Sequence, residues 1–178
     1  MHRRIQIAVL GDGAVRGKIL DAAEQIGAWV AEHGAVLITG GGGAVMEAAS
    51  RGASSRGGIS VGILKSGDLS KANAYCDIVI GTEVGHARNV INVLSSDAVI
   101  AIGGGAGTLS EICFAWIHTR PIFILRGFGG WSDRLGDKPL DARREAPIFR
   151  CDSVSDLFKE LEHWISSPKI AQLKQRGT

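Results

Sequence analysis

Arg88 and Glu111 are the two side chains of this sequence whose type and position point most directly to chemistry. Glu111 stands just behind the run Gly103-Gly104-Gly105-Ala106-Gly107-Thr108, which follows the apolar stretch Ala98-Val99-Ile100-Ala101-Ile102 and leads into a helical pattern. A strand that passes through glycines into a helix is built to hold a phosphate. Glycines admit close approach of the backbone, and the helix start offers unpaired amides and the positive end of its dipole. A carboxylate behind such a turn, at the carboxyl edge of a sheet, lies where α/β enzymes keep a reacting group. The same residues have a structural alternative: Thr108-Leu109-Ser110-Glu111 reads as a capping box, in which both side chains satisfy orphan amides. Arg88 opens the preceding helix, within Val84-Gly85-His86-Ala87-Arg88-Asn89. The dipole disfavours a cation at that end, so an external anion is the expected reason for it, with a surface ion pair as the alternative.

Two further glycine turns belong with these residues. Ala35 to Thr39 is an apolar strand that opens into Gly40-Gly41-Gly42-Gly43, more glycines than a turn needs, and Gly41, Gly42 and Gly43 are candidate ligand contacts. In the later turn the candidates are Gly104, Gly105, Gly107 and Thr108. Gly11-Asp12-Gly13, after the first strand, has the look of a dinucleotide fingerprint with one residue too many; it reads first as a tight strand-to-helix turn, with a supporting role at the ligand for Gly11 and Gly13 as the alternative. A nicotinamide site would need an acidic residue at the end of the second strand, where Thr39-Gly40 stands, so NAD is not expected. Gly17-Lys18 is followed by Ile19 where a Walker motif requires a hydroxyl. Lys65 and Lys71 read as loop residues, which leaves no Schiff-base lysine for a pyridoxal enzyme and speaks against lysine decarboxylation.

The elements that must position these turns alternate along the chain. Strands are expected near 5–10, 35–39, 59–64, 77–81, 97–102 and 121–125, and helices near 16–33, 44–56, 87–95, 108–119 and 153–166. Ile19, Ala22, Ala23, Ile26 and Val30 carry helical spacing in the first helix, and Ser153 caps the last. The pattern predicts an α/β fold: one Rossmann-like domain over 1–167, with a mostly parallel sheet and helices on both faces, then a polar tail over 168–178. The stretch 126–147 is irregular. With 178 residues, 45% of them hydrophobic, the chain suits one domain that buries roughly 70% of its unfolded surface.

The formal net charge of +2 gives no general case for nucleic acid or a membrane surface. Trp116, Trp131 and Trp164 are not interleaved with basic residues as a stacking surface would be. Cys76, Cys113 and Cys151 lack Cys-x-x-Cys spacing, and His33, His118 and His163 lack ligand spacing, so no metal is expected. A cytoplasmic location is the default for such a chain. The small residues of helix 44–56 (Ala48, Ala49, Ser50, Gly52, Ala53, Ser54) suit close packing against another helix. Small and apolar positions on the exposed faces of helices 44–56 and 87–95 also favour self-association.

Gly104 to Glu111 resembles the P-G-G-x-G-T-x-x-E motif of the Lonely Guy family, cytokinin-nucleotide phosphoribohydrolases often mislabelled lysine decarboxylases. His86-Ala87-Arg88-Asn89 falls where that family has H-x-R-K, and Gly41 to Met46 where it has G-G-G-x-x-G-L-M-G. The resemblance covers residues 5 to 125 and implies that Arg88 and Glu111 are the catalytic pair. Gly103, Asn89 and Glu47 depart from the family pattern. Val45-Met46-Glu47-Ala48-Ala49, with Ala87 to Asn92 and Ser95-Ser96, is more similar to the molybdenum cofactor carrier proteins, which implies binding of a phosphorylated pterin and assembly as a dimer or tetramer. Two functions stand open. One is a carrier that binds an AMP-like or molybdenum cofactor-like phosphorylated ligand without a catalytic cofactor. The other is an enzyme that releases a free base and ribose 5-phosphate from a nucleoside 5′-monophosphate.

Overall fold

Seven short runs of apolar and β-branched residues pair side by side in the computed structural model, which describes residues 3–135, 139–142, 148–168 and 170. They are β1 (Gln6–Gly11), β2 (Val36–Thr39), β3 (Ile59–Leu64), β4 (Ile78–Gly81), β5 (Ala98–Ile102), β6 (Ile122–Leu125) and β7 (Ile148–Cys151). The order across the sheet is β4-β3-β2-β1-β5-β6-β7, with every described pair parallel. Between them lie α1 (Lys18–Glu32), α2 (Val45–Ser55), α3 (Arg88–Leu94), α4 (Ala106–Ile117), α5 (Gly130–Arg134) and α6 (Val154–Ile165). This is the expected Rossmann-like α/β fold. β7 and α5 are additions: both are short and follow or lie within the irregular stretch 126–147, where no periodicity could develop.

Alternation within the strands makes two cores. Ile7 and Val9 of β1 face one side with Leu37, Ile100 and Phe123, under α1, α2 and α6. Ala8 and Leu10 face the other with Ile38, Val99 and Ile122, under α3 and α4. Ser153 caps α6 as expected, its Oγ accepting from the Asp156 N–H at 3.1 Å. Of the polar tail, only 168 and 170 are described, and Ile170 is packed in the first core.

The small residues of α2 are consumed within the chain. Ala48, Ala49, Ser50, Gly52 and Ala53 are buried, and a Cβ on Gly52 would collide with the Glu24 carbonyl of α1, as one on Gly27 would with that of Ala49. That face is spent on α1, the close packing against another helix expected for these residues. Exposed apolar side chains lie elsewhere, at Ile78 and Ile80 of β4 and at Leu94 and Ile117 of α3 and α4.

At the amino edge of the sheet, the Arg3 guanidinium forks onto the Asp97 carboxylate, with Nη2 to Oδ1 at 2.6 Å and Nη1 to Oδ2 at 3.0 Å. The Gln6 N–H also donates to Asp97, at 2.9 Å, so this pair ties the start of β1 to the start of β5.

Candidate functional site

β1 is central, and the chain winds outward to β4 on one side before returning through α3 to β5 on the other. Connections leaving the carboxyl ends of β1 and β5 therefore diverge, and a crevice opens between them. It is a cleft of about 490 Å³, within the size range of small-molecule sites. Gly11 and Gly13 line it from β1, Gly42 and Gly43 from the turn after β2, and Gly105, Gly107 and Thr108 from the turn after β5. Arg88 and Glu111 reach it from α3 and α4.

Gly41 and Gly104 were expected beside them and do not line the cleft. The Gly41 carbonyl accepts from the Asn73 N–H at 2.8 Å, and a Cβ on Gly41 would press on Leu64 and Gly62. Asn73 Nδ2 also donates to the Gly42 carbonyl, at 3.0 Å, so a single side chain holds the peptide planes of this turn. Gly104 has φ +92°, and its carbonyl accepts from the Trp131 N–H of α5 at 2.8 Å. Both glycines shape their turns from behind.

The capping-box alternative fails. α4 starts at Ala106, two residues before the expected start, so Gly105 is the N-cap and neither Thr108 nor Glu111 is placed to cap it. No side chain caps α4 at all, which leaves its first amides facing the cleft without an intrahelical partner. Asn89, buried on α3, secures this helix start by donating through Nδ2 to Ser110 Oγ at 2.8 Å and to the Gly107 carbonyl at 3.3 Å. α2, which enters from the glycine turn after β2, also lacks a side-chain cap, and its N-cap Ala44 is held at φ +49°. That is a strained conformation for a residue with a Cβ, of the kind found at ligand clamps.

Freed from capping, Glu111 faces Arg88. Arg88 Nη1 lies 3.6 Å from Glu111 Oε1, with the two side chains 13% and 8% exposed. That separation gives attraction without a hydrogen bond. Arg88 Nε is buried with no hydrogen-bond partner among the described residues. Burial pushes the Arg88 guanidinium below its ordinary value, against the opposing effect of Glu111. Burial likewise raises the Glu111 carboxyl to about 7, with the Asn92 hydrogen bond and Arg88 acting the other way. A buried guanidinium with an unused donor, beside a carboxyl that releases its proton near neutrality, is a site that gains from an incoming anion. Gly40 makes room for it, since a Cβ there would lie 2.6 Å from Arg88 Nη1.

Asp12, Met46, Lys65, Lys71 and His86 line the cleft as well. Lys65 follows β3 directly, so its place at the carboxyl edge was available from the strand assignment. Asn92 also went unmarked, although it lies one helical turn beyond Arg88 on the same face of α3. Its Nδ2 donates to Glu111 Oε1 at 2.8 Å. Among the described residues, no group of three or more His, Cys, Asp or Glu is placed to hold a metal ion, and no helix is long and apolar enough to cross a membrane.

Doubly wound topology with glycine turns converging at the switch point places this protein in the class of Rossmann-like domains with a switch-point ligand cleft. Within that class it belongs to the SLOG cluster4 family, whose model matches residues 4–157. It is 51% identical to an uncharacterized protein of Archaeoglobus fulgidus, over 68% of this chain and 80% of that one. It is 31% identical to a probable cytokinin riboside 5′-monophosphate phosphoribohydrolase of Oryza sativa, over 84% of this chain and 68% of the other. Among solved structures, the molybdenum cofactor binding protein of Rippkaea orientalis superposes with a TM-score of 0.77 at 35% identity, covering 92% of this chain and 99% of that one. The chain is thus related both to the phosphoribohydrolases and to the molybdenum cofactor carrier branch, as the motifs implied.

Proposed function

We propose that this protein binds a small phosphorylated ligand of the nucleotide or molybdopterin kind in the cleft between β1 and β5, in the manner of a carrier. The observation that supports it best is Arg88, whose buried guanidinium has an unpartnered Nε beside the uncapped start of α4. A phosphate placed there would accept from the α4 amides and from Arg88 together, and charge-assisted bonds of this kind are the strong ones. Lys65 and Lys71, at the β3 side of the cleft, add positive charge for the same anion. The aromatic or heterocyclic part of the ligand would lie toward Met46 and the glycines after β2. In a carrier the molybdenum cofactor is cargo, and no step depends on its metal.

Titration calorimetry with AMP and with molybdenum cofactor tests this reading. Saturable binding of either, lost in Gly105→Asp, is the expected result, because a carboxylate there would occupy the anion's place. Binding of neither would sink it.

Hydrolysis is the second reading, favoured by the Glu111 carboxyl at about 7, where a general base is most effective at neutral pH. Glu111 would take a proton from water as the water oxygen bonds to the anomeric carbon. The N-glycosidic bond would break with its electron pair going to the base nitrogen, which takes a proton from solvent while Glu111 later returns to solvent the one it took from water. The carboxylate would also stabilise the oxocarbenium-like charge that develops, while Arg88 steadies the phosphate. Chromatography of a nucleoside monophosphate panel after incubation, with Glu111→Ala as the control, decides between the two.

Self-association is part of the same proposal. Ile78 and Ile80 of β4 project on the α3/α4 side of the sheet, in register with Val61 and Ile63, and Leu94 of α3 is exposed on that side too. Sedimentation of the purified protein should give a dimer or tetramer that Ile80→Lys dissociates.

A further inference from the structure

Asn92 is a buried polar side chain that no reading of the cleft has yet used. It sits on α3 four residues after Arg88, is 1% exposed, and directs its amide at the carboxyl group of Glu111 on α4. Its Nδ2 donates to Oε1 at 2.8 Å, the same oxygen that faces Arg88 at 3.6 Å. Its Oδ1 is buried with no partner.

An amide spent on packing two helices would satisfy both of its ends, since an unpaired buried carbonyl carries the full penalty of desolvation. Asn89, on the same helix, makes two bonds through its Nδ2, to Ser110 Oγ and to the Gly107 carbonyl of α4. Among the described residues the Asn92 side chain makes one bond, and it goes to the carboxyl group of Glu111. The free Oδ1 then has a specific use. A half-turn of the amide exchanges donor for acceptor in the same space. In one orientation Nδ2–H serves the carboxylate, and in the other Oδ1 accepts from the protonated acid.

We propose that Asn92 is the positioning residue of this site: its amide holds the Glu111 carboxyl against Arg88 at the cleft wall in both of its protonation states, and thereby sets the pH at which the cleft changes charge. The inference rests on the reading of Glu111 as the group that the cleft uses, and it holds for carrier and hydrolase alike. As a carboxylate, Glu111 neutralises Arg88 and opposes an incoming phosphate. As an acid, it leaves the full charge of Arg88 to the anion. Anion affinity should therefore fall as pH rises through the Glu111 titration. The other charged groups on this cleft are Asp12 after β1, Lys65 and Lys71 after β3, and His86 before α3. Among these, His86 is the one imidazole. Its variant His86→Gln separates the two contributions.

The experiment follows the Glu111 carboxyl by carbon-13 NMR across pH, with its signal assigned by loss in Glu111→Gln. Asn92→Leu keeps the branched outline and the number of heavy atoms, and removes the donor. Its Glu111 midpoint should move up by about one pH unit, because the lost bond to the carboxylate is charge-assisted and stronger than the lost bond to the neutral acid. The curve of AMP affinity against pH should move with it and keep its low-pH plateau. Asn92→Asp keeps the shape and places a second carboxyl beside Glu111, so the pair should titrate in two separated steps. A midpoint unchanged in a folded Asn92→Leu, or one step in Asn92→Asp, would overturn the proposal. If the midpoints move as expected but neither AMP nor molybdenum cofactor binds, Asn92 keeps its role and the ligand reading fails instead.

Discussion

Two arginine–carboxylate pairs stand at opposite ends of the β1/β5 strand pair, and they are built differently. At the amino edge, Arg3 meets Asp97 in a fork at 2.6 and 3.0 Å, and a backbone N–H adds a third bond. Hydrogen bonding to Asp97 holds the Arg3 guanidinium above its ordinary value. At the carboxyl edge, Arg88 is more deeply buried than Arg3 and stays 3.6 Å from Glu111, and burial pushes the ionisation of both partners in the unfavourable direction. Chemically the partners are alike. The amino-edge pair is closed and serves the fold, whereas the carboxyl-edge pair is held open. Open pairs with unfavourable ionisation persist where a ligand completes them.

The largest expected effect separates the two pairs by stability. Because folding raises the Glu111 carboxyl to about 7, the folded state holds that proton more tightly than the unfolded chain does. Stability should therefore fall as pH rises from the ordinary carboxylate range to about 7, by on the order of 3 kcal/mol. Denaturant melts of Glu111→Gln should lack this decline, and the variant should be more stable than the parent at pH 8. Asp97→Asn should be destabilised instead, since it strips charge from a pair with satisfied partners. Equal pH profiles for parent and Glu111→Gln would remove the contrast.

Next in size is ligand affinity. Arg88→Ala should weaken AMP or cofactor binding about a hundredfold in calorimetry, the loss typical of a buried charged contact, with Arg3→Ala unchanged within about twofold. A smaller effect should come from Gly40→Ala, which crowds Arg88 Nη1 without touching its charge. About a tenfold loss of affinity is expected there, at a melting temperature close to that of the parent. Smallest of all, Arg3→Ala should lower stability by about 1 kcal/mol or less, and less still in high salt, because its side chain is 45% exposed. A loss of ligand binding in that variant would show that the amino-edge pair reaches the cleft.

Much of the fold was legible in the sequence because its signals are local. Ile59 to Leu64 and Ile122 to Leu125 read as covered strands from their apolar runs alone, and the parallel sheet followed from the alternation of strand and helix. β7 was not legible, since Ile148-Phe149-Arg150-Cys151 is four residues long and follows an irregular stretch. It becomes a strand by pairing with β6. Helix starts were the weakest point. Placing α4 at 108 instead of Ala106 created a capping box that the backbone does not contain.

What the sequence determined by itself was the order of elements, the parallel sheet, and the carboxyl edge as the place where glycine turns gather, all of which depend on neighbours in the chain. The tertiary structure decided which glycines face the cleft and which support it, as Gly41 does through Asn73 and Gly104 through α5. It also decided that the small face of α2 is spent on α1, and that Arg88, Asn92 and Glu111 form one buried group across two helices. Burial and cross-helix distance control the charge of Glu111, and neither quantity exists until the chain has folded.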